Sequence, residues 1–240
     1  AEANYDRSLF IRLGYKSALI AMSLDDTGLH KGALRINRHS GVSHNYAREG
    51  SYYNLWFTLA VPPEEDLAET VERMARETGA LVYRIMPTIR FFKIGVNFDM
   101  VNEEGGAYQY YSPDGYHTED PEAWRRPVEL AELEIRAVRE LQEDLPLAGR
   151  PYDDIATRLG LTLGQLFELC RGLQERGVMR RFSAVLYHRK VGFLYNAMSV
   201  WRVPEERAEE VGRILAASPW VTHCYQRPTF PDWPYTHFGM

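Results

Sequence analysis

Apolar and polar positions change their period several times along the 240 residues, and each change predicts an element. The run "KSALIAMSL" at 16–24 is short and apolar, a strand, and "DDTGLHKGALRINRHS" follows with helical spacing that gathers Leu29, Ala33, Leu34 and Ile36 near one face. "GVSHNYARE" predicts a second strand and "YYNLWFTLAV" a third. Pro62 and Pro63 then open an acidic helix start, "PPEEDLAETVERMARETG", which Gly79 closes, and "LVYRIMP" supplies a fourth strand. Strand, helix, strand, strand, helix, strand is the split βαβ, ferredoxin-like order, an antiparallel sheet with two helices on one face. "IRFFKIGVNFDM" adds more extended chain.

Residues 101–128 carry Gly-Gly, Ser-Pro-Asp-Gly and scattered charges without a period, which marks a linker; His117 falls in it as an exposed loop residue. From Glu129 the period is helical through "ELAELEIRAVRELQEDLP", "YDDIATRLG" and "TLGQLFELCRGLQERG", and the extended "VMRRFSAVLYH" trails behind. Three helices, a short turn at 159–162 and a closing hairpin predict a winged helix-turn-helix. Arg180, Arg181, His188 and Arg189 flank the next strand, where they fit a solvated wing better than a carboxylate-binding group.

After this domain the first pattern returns. Val191-Gly192-Phe193 echoes Leu13-Gly14-Tyr15, "SPWVTHCYQR" matches "HSGVSHNYAR", and "YTHF" falls where "YNLW" stood. Gly14 and His44 lie 30 positions apart, Gly192 and His223 lie 31 apart, and such self-similarity reads as duplication. The expected class is therefore α+β: two ferredoxin-like βαββαβ domains, the second preceded by the winged helix-turn-helix and incomplete. Boundaries fall at 1–100, 101–128 (linker), 129–187 and 188–240. Because the second copy ends before its last helix and strand, further residues or a partner are expected to cover its apolar face.

The repeat preserves one polar spelling: His-x-Tyr-x-Arg, at 44–48 and again at 223–227. Strand side chains alternate, so His44, Tyr46 and Arg48 share one face, and His223, Tyr225 and Arg227 share another. A guanidinium and an imidazole on an apolar sheet cost several kcal/mol unless they meet acceptors or an anion. A lone trio is readily explained by structural pairing at a sheet edge. Two copies that kept the polar residues while their surroundings diverged point to ligand chemistry for the two His and two Arg. Tyr46 and Tyr225 fit both packing and binding. Asn54 and Trp56 share a face beside the first trio, Arg90 and Lys93 lie on the following extended chain, and Asp232, Trp233 and His237 stand in or after a proline-shaped loop.

Charge and composition narrow the chemistry. With 28 basic and 33 acidic side chains the net charge is -5, so there is no general attraction to phosphate backbones or anionic membranes. The two cysteines cannot form a disulfide framework or a thiolate metal site, no run is long enough for a membrane helix, and a cytoplasmic, membrane-free protein is expected. A helix-turn-helix joined to a sensing domain suggests a transcription regulator. Against this, residues 129–181 hold eight Arg and no Lys beside ten acidic residues, a poor counterion-releasing face, which disfavours DNA as partner.

The stretches "GVSHNYAR", "YNLWFTLA", "IRFFKIGVNFDM", "LQEDLPL", "GVMRRFSAVLYHRKVGF", "NAMSVW" and "VTHCYQRPTFPDWPY" resemble the siroheme decarboxylase family, a branch of the Lrp/AsnC architecture, in its fused two-subunit form. The resemblance implies removal of CO2 from two acetate side chains of siroheme to give didecarboxysiroheme, on a route to haem or modified haem. It also implies no separate cofactor and assembly as a homo- or hetero-oligomer through AsnC-like domains. The family's histidines fall on His44 and His223, and its arginines on Arg48 and Arg227. Tyr46, Tyr225, Asn54, Trp56, Arg90, Lys93 and Trp233 are the expected substrate-binding residues. His44 or His223 serves either as proton donor or as axial ligand of the substrate's iron. One departure stands out: family members read Asn-Leu-Phe after "PDWPY", whereas Thr236, His237 and Phe238 stand here.

Overall fold

The structure, a computed structural model, describes residues 14–94, 127–179 and 196–240. Most of the linker and the extended stretch after Met179, with Arg180, Arg181, His188, Arg189, Gly192 and Phe193, lie outside the described residues, as does His117. Elements follow the order β1 (Lys16–Ser23), α1 (Leu29–Ile36), β2 (Val42–Ala47), β3 (Leu55–Val61), α2 (Leu67–Thr78), β4 (Val82–Pro87) and β5 (Arg90–Ile94). They continue with α3 (Glu132–Leu141), α4 (Asp153–Leu159), α5 (Leu163–Glu175), β6 (Ser199–Trp201), α6 (Ala208–Ala217), β7 (His223–Gln226) and β8 (His237–Gly239). None of these helices is long and apolar enough to cross a membrane.

Two sheets form. The first has the order β2-β3-β1-β4, the ferredoxin-like arrangement that the sequence predicts for the first copy. Its helix-side core is apolar: Ile20, Met22, Leu55, Phe57, Leu59, Ile36, Val71 and Met74 are all buried. Gly79, at φ +71°, closes α2 as a left-handed residue following the helix. The second sheet has the order β5-β7-β8-β6, so β5, which follows the first copy in sequence, pairs antiparallel with β7 of the second. The edge that the second copy alone would leave open at β7 is thus occupied by the first copy's own chain.

Residues 14–17, 60–67 and 127–179 make one compact unit; residues 18–59, 68–94 and 196–240, holding most of both sheets, make the other. Within the second unit an aromatic core draws on both sheets: Ala21, Tyr53, Trp56, Met86 and Phe238 are buried together, with Met198, Val200, Phe230 and Trp233 packed around them. In the first unit, α3, α4 and α5 enclose Ala137, Leu141, Ile155, Ala156, Leu159 and Leu166. Gly160, at φ +71°, ends α4, and Thr162 caps α5 by accepting from the Gln165 amide (3.3 Å) while its own amide donates to Gln165 Oε1 (2.9 Å).

α6 lies close on the second sheet because it carries Gly212: a Cβ there would sit 2.2 Å from the Phe92 ring. Gly212→Ala is expected to destabilise the protein by about 1–3 kcal/mol through overpacking. Gly172→Ala, in α5 with nothing within 4 Å, is expected to be neutral or to stabilise by up to about 1 kcal/mol. Urea unfolding of the two variants checks the contrast.

Candidate functional site

Strand alternation decides which way each trio faces. Asn45 turns to the helix side, where its Nδ2 donates to Ala33 O (2.9 Å) and Asn37 Oδ1 (2.9 Å). His44 and Tyr46 are paired with Thr58 and Trp56, and Trp56 belongs to the core between the sheets. In the second copy, Cys224 and Gln226 are buried toward α6, while His223, Tyr225 and Arg227 take the opposite face. Both trios therefore lie on the helix-free faces of their sheets.

The two trios have closely matching internal geometry. His44 and Tyr46 ring centroids are 6.1 Å apart at 34°, and those of His223 and Tyr225 are 6.1 Å apart at 31°. Arg48 Cζ sits 5.0 Å from the Tyr46 ring centre and Arg227 Cζ 5.1 Å from that of Tyr225, in cation–π range. Each imidazole Nδ1 meets the hydroxyl of the preceding residue, Ser43 at 3.0 Å and Thr222 at 2.9 Å. The Thr222 hydroxyl has one proton and points it at Met240 O (2.9 Å). The Nδ1 contact with a hydroxyl helps to fix the orientation of each ring.

The copies differ in cover. Tyr46 is 46% exposed and Arg48 half-buried, with Nη1 donating to Ala47 O at 3.3 Å. Arg227 is 2% exposed: its Nη1 donates to Met86 O (2.6 Å) on β4, and its guanidinium lies against the rings of Tyr225 and Phe238, 5.5 Å from the latter's ring centre. Strand β5 flanks the second trio, with Phe91 against Tyr225 at 5.3 Å, edge to face. Elements of the first copy thus help to build the second site.

Several residues expected to bind substrate have partners within the protein. Asn54 bridges the main chain of Leu24, accepting from its N (2.9 Å) and donating to its O (2.7 Å). Thr236 Oγ1 accepts from Val203 N (3.1 Å), as Asn54 Oδ1 accepts from Leu24 N. The paired main-chain bonds Arg48 N to Asn54 O (2.9 Å) and Arg227 N to Thr236 O (2.8 Å) make the two positions equivalent, so the Thr236 departure keeps the same structural bond. Trp56 is buried and donates Nε1–H to Tyr53 O (2.6 Å). Lys93 is 7% exposed, donates to Ser218 O (2.8 Å), and burial lowers its pKa. Arg90 pairs with Glu209. Trp233 joins the aromatic core, 5.1 Å from Trp56 and 5.0 Å from Tyr235. Two crevices, one between α1 and α2 at Arg38 and Met74, the other at Leu145 and Ile155, include no trio residue.

Sequence reasoning missed the partners of Asp232. Its Oδ2 accepts from the Tyr53 hydroxyl (2.5 Å) and from Arg84 Nη2 (2.9 Å), and its Oδ1 accepts from Arg84 Nε (3.1 Å). The Tyr53 and Arg84 hydrogen bonds hold the carboxyl below its usual pKa, and burial followed by the Asp232 bond raises that of Tyr53. The signal was in the sequence: the chain between Arg227 and Tyr235 is three residues longer than that between Arg48 and Tyr53.

Fold and repeat define the class: a duplicated AsnC-like ligand-binding protein with a helix-turn-helix. The AsnC-like ligand binding domain family matches residues 12–93 and 190–240, and the siroheme decarboxylase NirDL-like HTH domain family matches residues 134–180. The chain is 44% identical over 237 residues to the siroheme decarboxylase of Hydrogenobacter thermophilus, covering 98% of this chain and 66% of that protein. It is 41% identical over 111 residues to the siroheme decarboxylase beta subunit of Methanosarcina barkeri, covering 46% of this chain and 73% of the subunit. The crystal structure of the siroheme decarboxylase NirDL in co-complex with an iron-uroporphyrin III analogue matches with a TM-score of 0.67 and 38% identity, over 98% of this chain and 63% of that one. The chain belongs to the siroheme decarboxylase family, and spans just under two thirds of the length of its full-length relatives.

His237, which replaces the equivalent of Leu55, is fully buried; its Nε2–H donates to Ala208 O (2.8 Å), Nδ1 faces the Thr236 hydroxyl (3.0 Å), and the ring stacks on Phe92. Burial lowers its pKa from 6.5, so the folded chain holds this ring neutral over a range where the unfolded chain protonates it. That contribution to stability is complete above the unfolded value and is lost as pH falls through the folded one. Urea midpoints measured across this acidic range are expected to fall less steeply in His237→Leu than in the native chain.

Proposed function

We propose that the chain is a carboxy-lyase that removes CO2 from two acetate side chains of siroheme, yielding didecarboxysiroheme. The carrying observation is the duplicated His-Tyr-Arg trio, whose geometry repeats on two helix-free sheet faces. Family membership and the polycarboxylate macrocycle named in the NirDL structure support the same reading. So does the demand of the chemistry. A carboxylate lost directly from an acetate leaves a carbanion, so the pyrrole ring must first become an electron sink. An imidazolium can act as the general acid that protonates a ring carbon. The acetate C–C bond then breaks, its electron pair neutralises the ring cation, and CO2 departs. Protonation of the exocyclic carbon and return of the ring proton to the imidazole leave a methyl group, with one proton consumed per CO2.

Arg48 would bind a substrate carboxylate by forked hydrogen bonds, and the buried Arg227 would contribute its positive charge to the second site, while a tyrosine ring lies against each guanidinium. His44 or His223 would equally suit ligation of the substrate's iron, an anchoring role for the same ring. No cofactor besides the substrate enters these steps, and the reaction belongs to an oligomeric, cytoplasmic protein.

Anaerobic incubation of the purified chain with siroheme, followed by mass analysis of the pigment, tests this. Successive losses of CO2 are expected; a spectral shift without mass change would point to sensing. His44→Ala and His223→Ala are expected to fold and to lower CO2 release at least about tenfold, about 1.4 kcal/mol of barrier. Unchanged turnover in both variants would remove the acid role. Arg48→Lys should raise KM more than it lowers kcat, the pattern of a group that holds ground state and transition state alike.

A further inference from the structure

The longer loop of the second copy ends in a grip supplied by the first. Phe230 and Trp233 exchange main-chain hydrogen bonds, 2.9 Å each way, so Pro231 and Asp232 form the tip of a tight turn. Into that tip reach Tyr53, a fully buried residue just before β3, and Arg84, on β4. Arg84 approaches the carboxylate with Nε and Nη2 as a fork and also lies over the Phe230 ring at 5.4 Å. An isolated surface ion pair contributes little. This one shares its carboxylate with a buried phenol and joins two copies through residues 179 and 148 positions apart in the chain.

The turn also leads to the second trio. Trp233, next to Asp232, packs edge-on against Tyr53 at 5.8 Å and reaches Phe238 at 6.4 Å. The Arg227 guanidinium lies against the rings of both Phe238 and Tyr225, which are paired across β8 and β7. A continuous row of rings, Trp233, Phe238, Tyr225 and His223, interrupted by one guanidinium, therefore runs from the grip to the imidazole. In the first copy the corresponding connection is three residues shorter and has no counterpart of Asp232-Trp233.

We propose that Asp232 is a positioning residue: held by Tyr53 and Arg84, it fixes Trp233 and Phe238 and, through the buried Arg227 beside them, holds Tyr225 and His223 in place for the tetrapyrrole substrate. This rests on the siroheme reading above. It assigns Tyr53, Arg84 and Asp232 a shared role through which the first copy tunes the binding of substrate by the second.

The test uses Tyr53→Phe, which removes only the hydroxyl and keeps the ring packing, together with Asp232→Ala and Asp232→Asn. Affinity for iron-uroporphyrin III, a non-reacting polycarboxylate probe, is read from its visible absorbance, and KM and kcat are read with siroheme. Tyr53→Phe and Asp232→Ala are expected to weaken probe binding and raise KM about fivefold or more while kcat changes less than about twofold, the split expected for lost ground-state positioning. Asp232→Asn, which keeps an acceptor, should recover part of the loss. Because both side chains act through one grip, the double variant should lose less than the product of the single losses. If Tyr53→Phe and Asp232→Asn bind the probe and turn over siroheme as the native chain does, the positioning role is overturned while the siroheme reading stands. If the native chain neither binds the probe nor alters siroheme, both fall. An equal loss of kcat without change in KM or probe affinity also overturns the proposal.

Discussion

A strand can offer only every second side chain to a given face, and the site depends on that constraint. In each copy one strand sends its buried set toward a helix and a polar trio the other way. Asn45 and Cys224 show the helix side accounted for, by hydrogen bonds to α1 and by burial under α6. With those positions fixed, His, Tyr and Arg have no other face available, and a one-residue slip would exchange the two sets. The irregularity in the β2–β3 register between Val42 and His44 precedes the trio, so pairing runs on without interruption from His44 to Ala47.

Between the sheets, aromatic packing takes the place that a purely aliphatic core fills elsewhere. Tyr53, Trp56, Trp233 and Phe238 bring large areas with few rotatable bonds, and two of them carry polar ends that find partners, Tyr53 on Asp232 and Trp56 on Tyr53 O. The same rings brace the guanidinium of Arg227. Core and site are therefore continuous in the second copy, whereas Tyr46 of the first copy remains substantially exposed. Duplication has produced two trios of one shape in two unlike environments.

Much of this was legible in the sequence. The order of elements, the repeat and the facing of both trios follow from apolar periodicity, which is local information. What stayed hidden depends on contacts distant along the chain. Asn54 and Lys93 look like ligand-facing polar residues until their main-chain partners, Leu24 and Ser218, are in place. His237 reads as a substitution in a binding lining, yet Thr236 beside it accepts from a main-chain amide as Asn54 does, and the imidazole finds its acceptor on Ala208 at the start of α6. The role of Asp232 was visible only as three additional residues. Helix positions were better foretold than side-chain roles because a helix is set by its own few turns, whereas an acceptor is wherever the fold delivers it.

Strand β5 carries a consequence for how such a protein can exist as separate polypeptides. It follows the first copy in sequence but completes the hydrogen-bonding edge of β7 in the second. Were the chain divided between Ile94 and Glu132, one fragment would own the strand and the other its template. Reassociation would then be driven by restoring a ladder, not by meeting of finished surfaces, and the second sheet would be whole in neither fragment alone. A gene encoding the two halves apart would thus produce obligate companions, whose stability rises and falls with the concentration of each other.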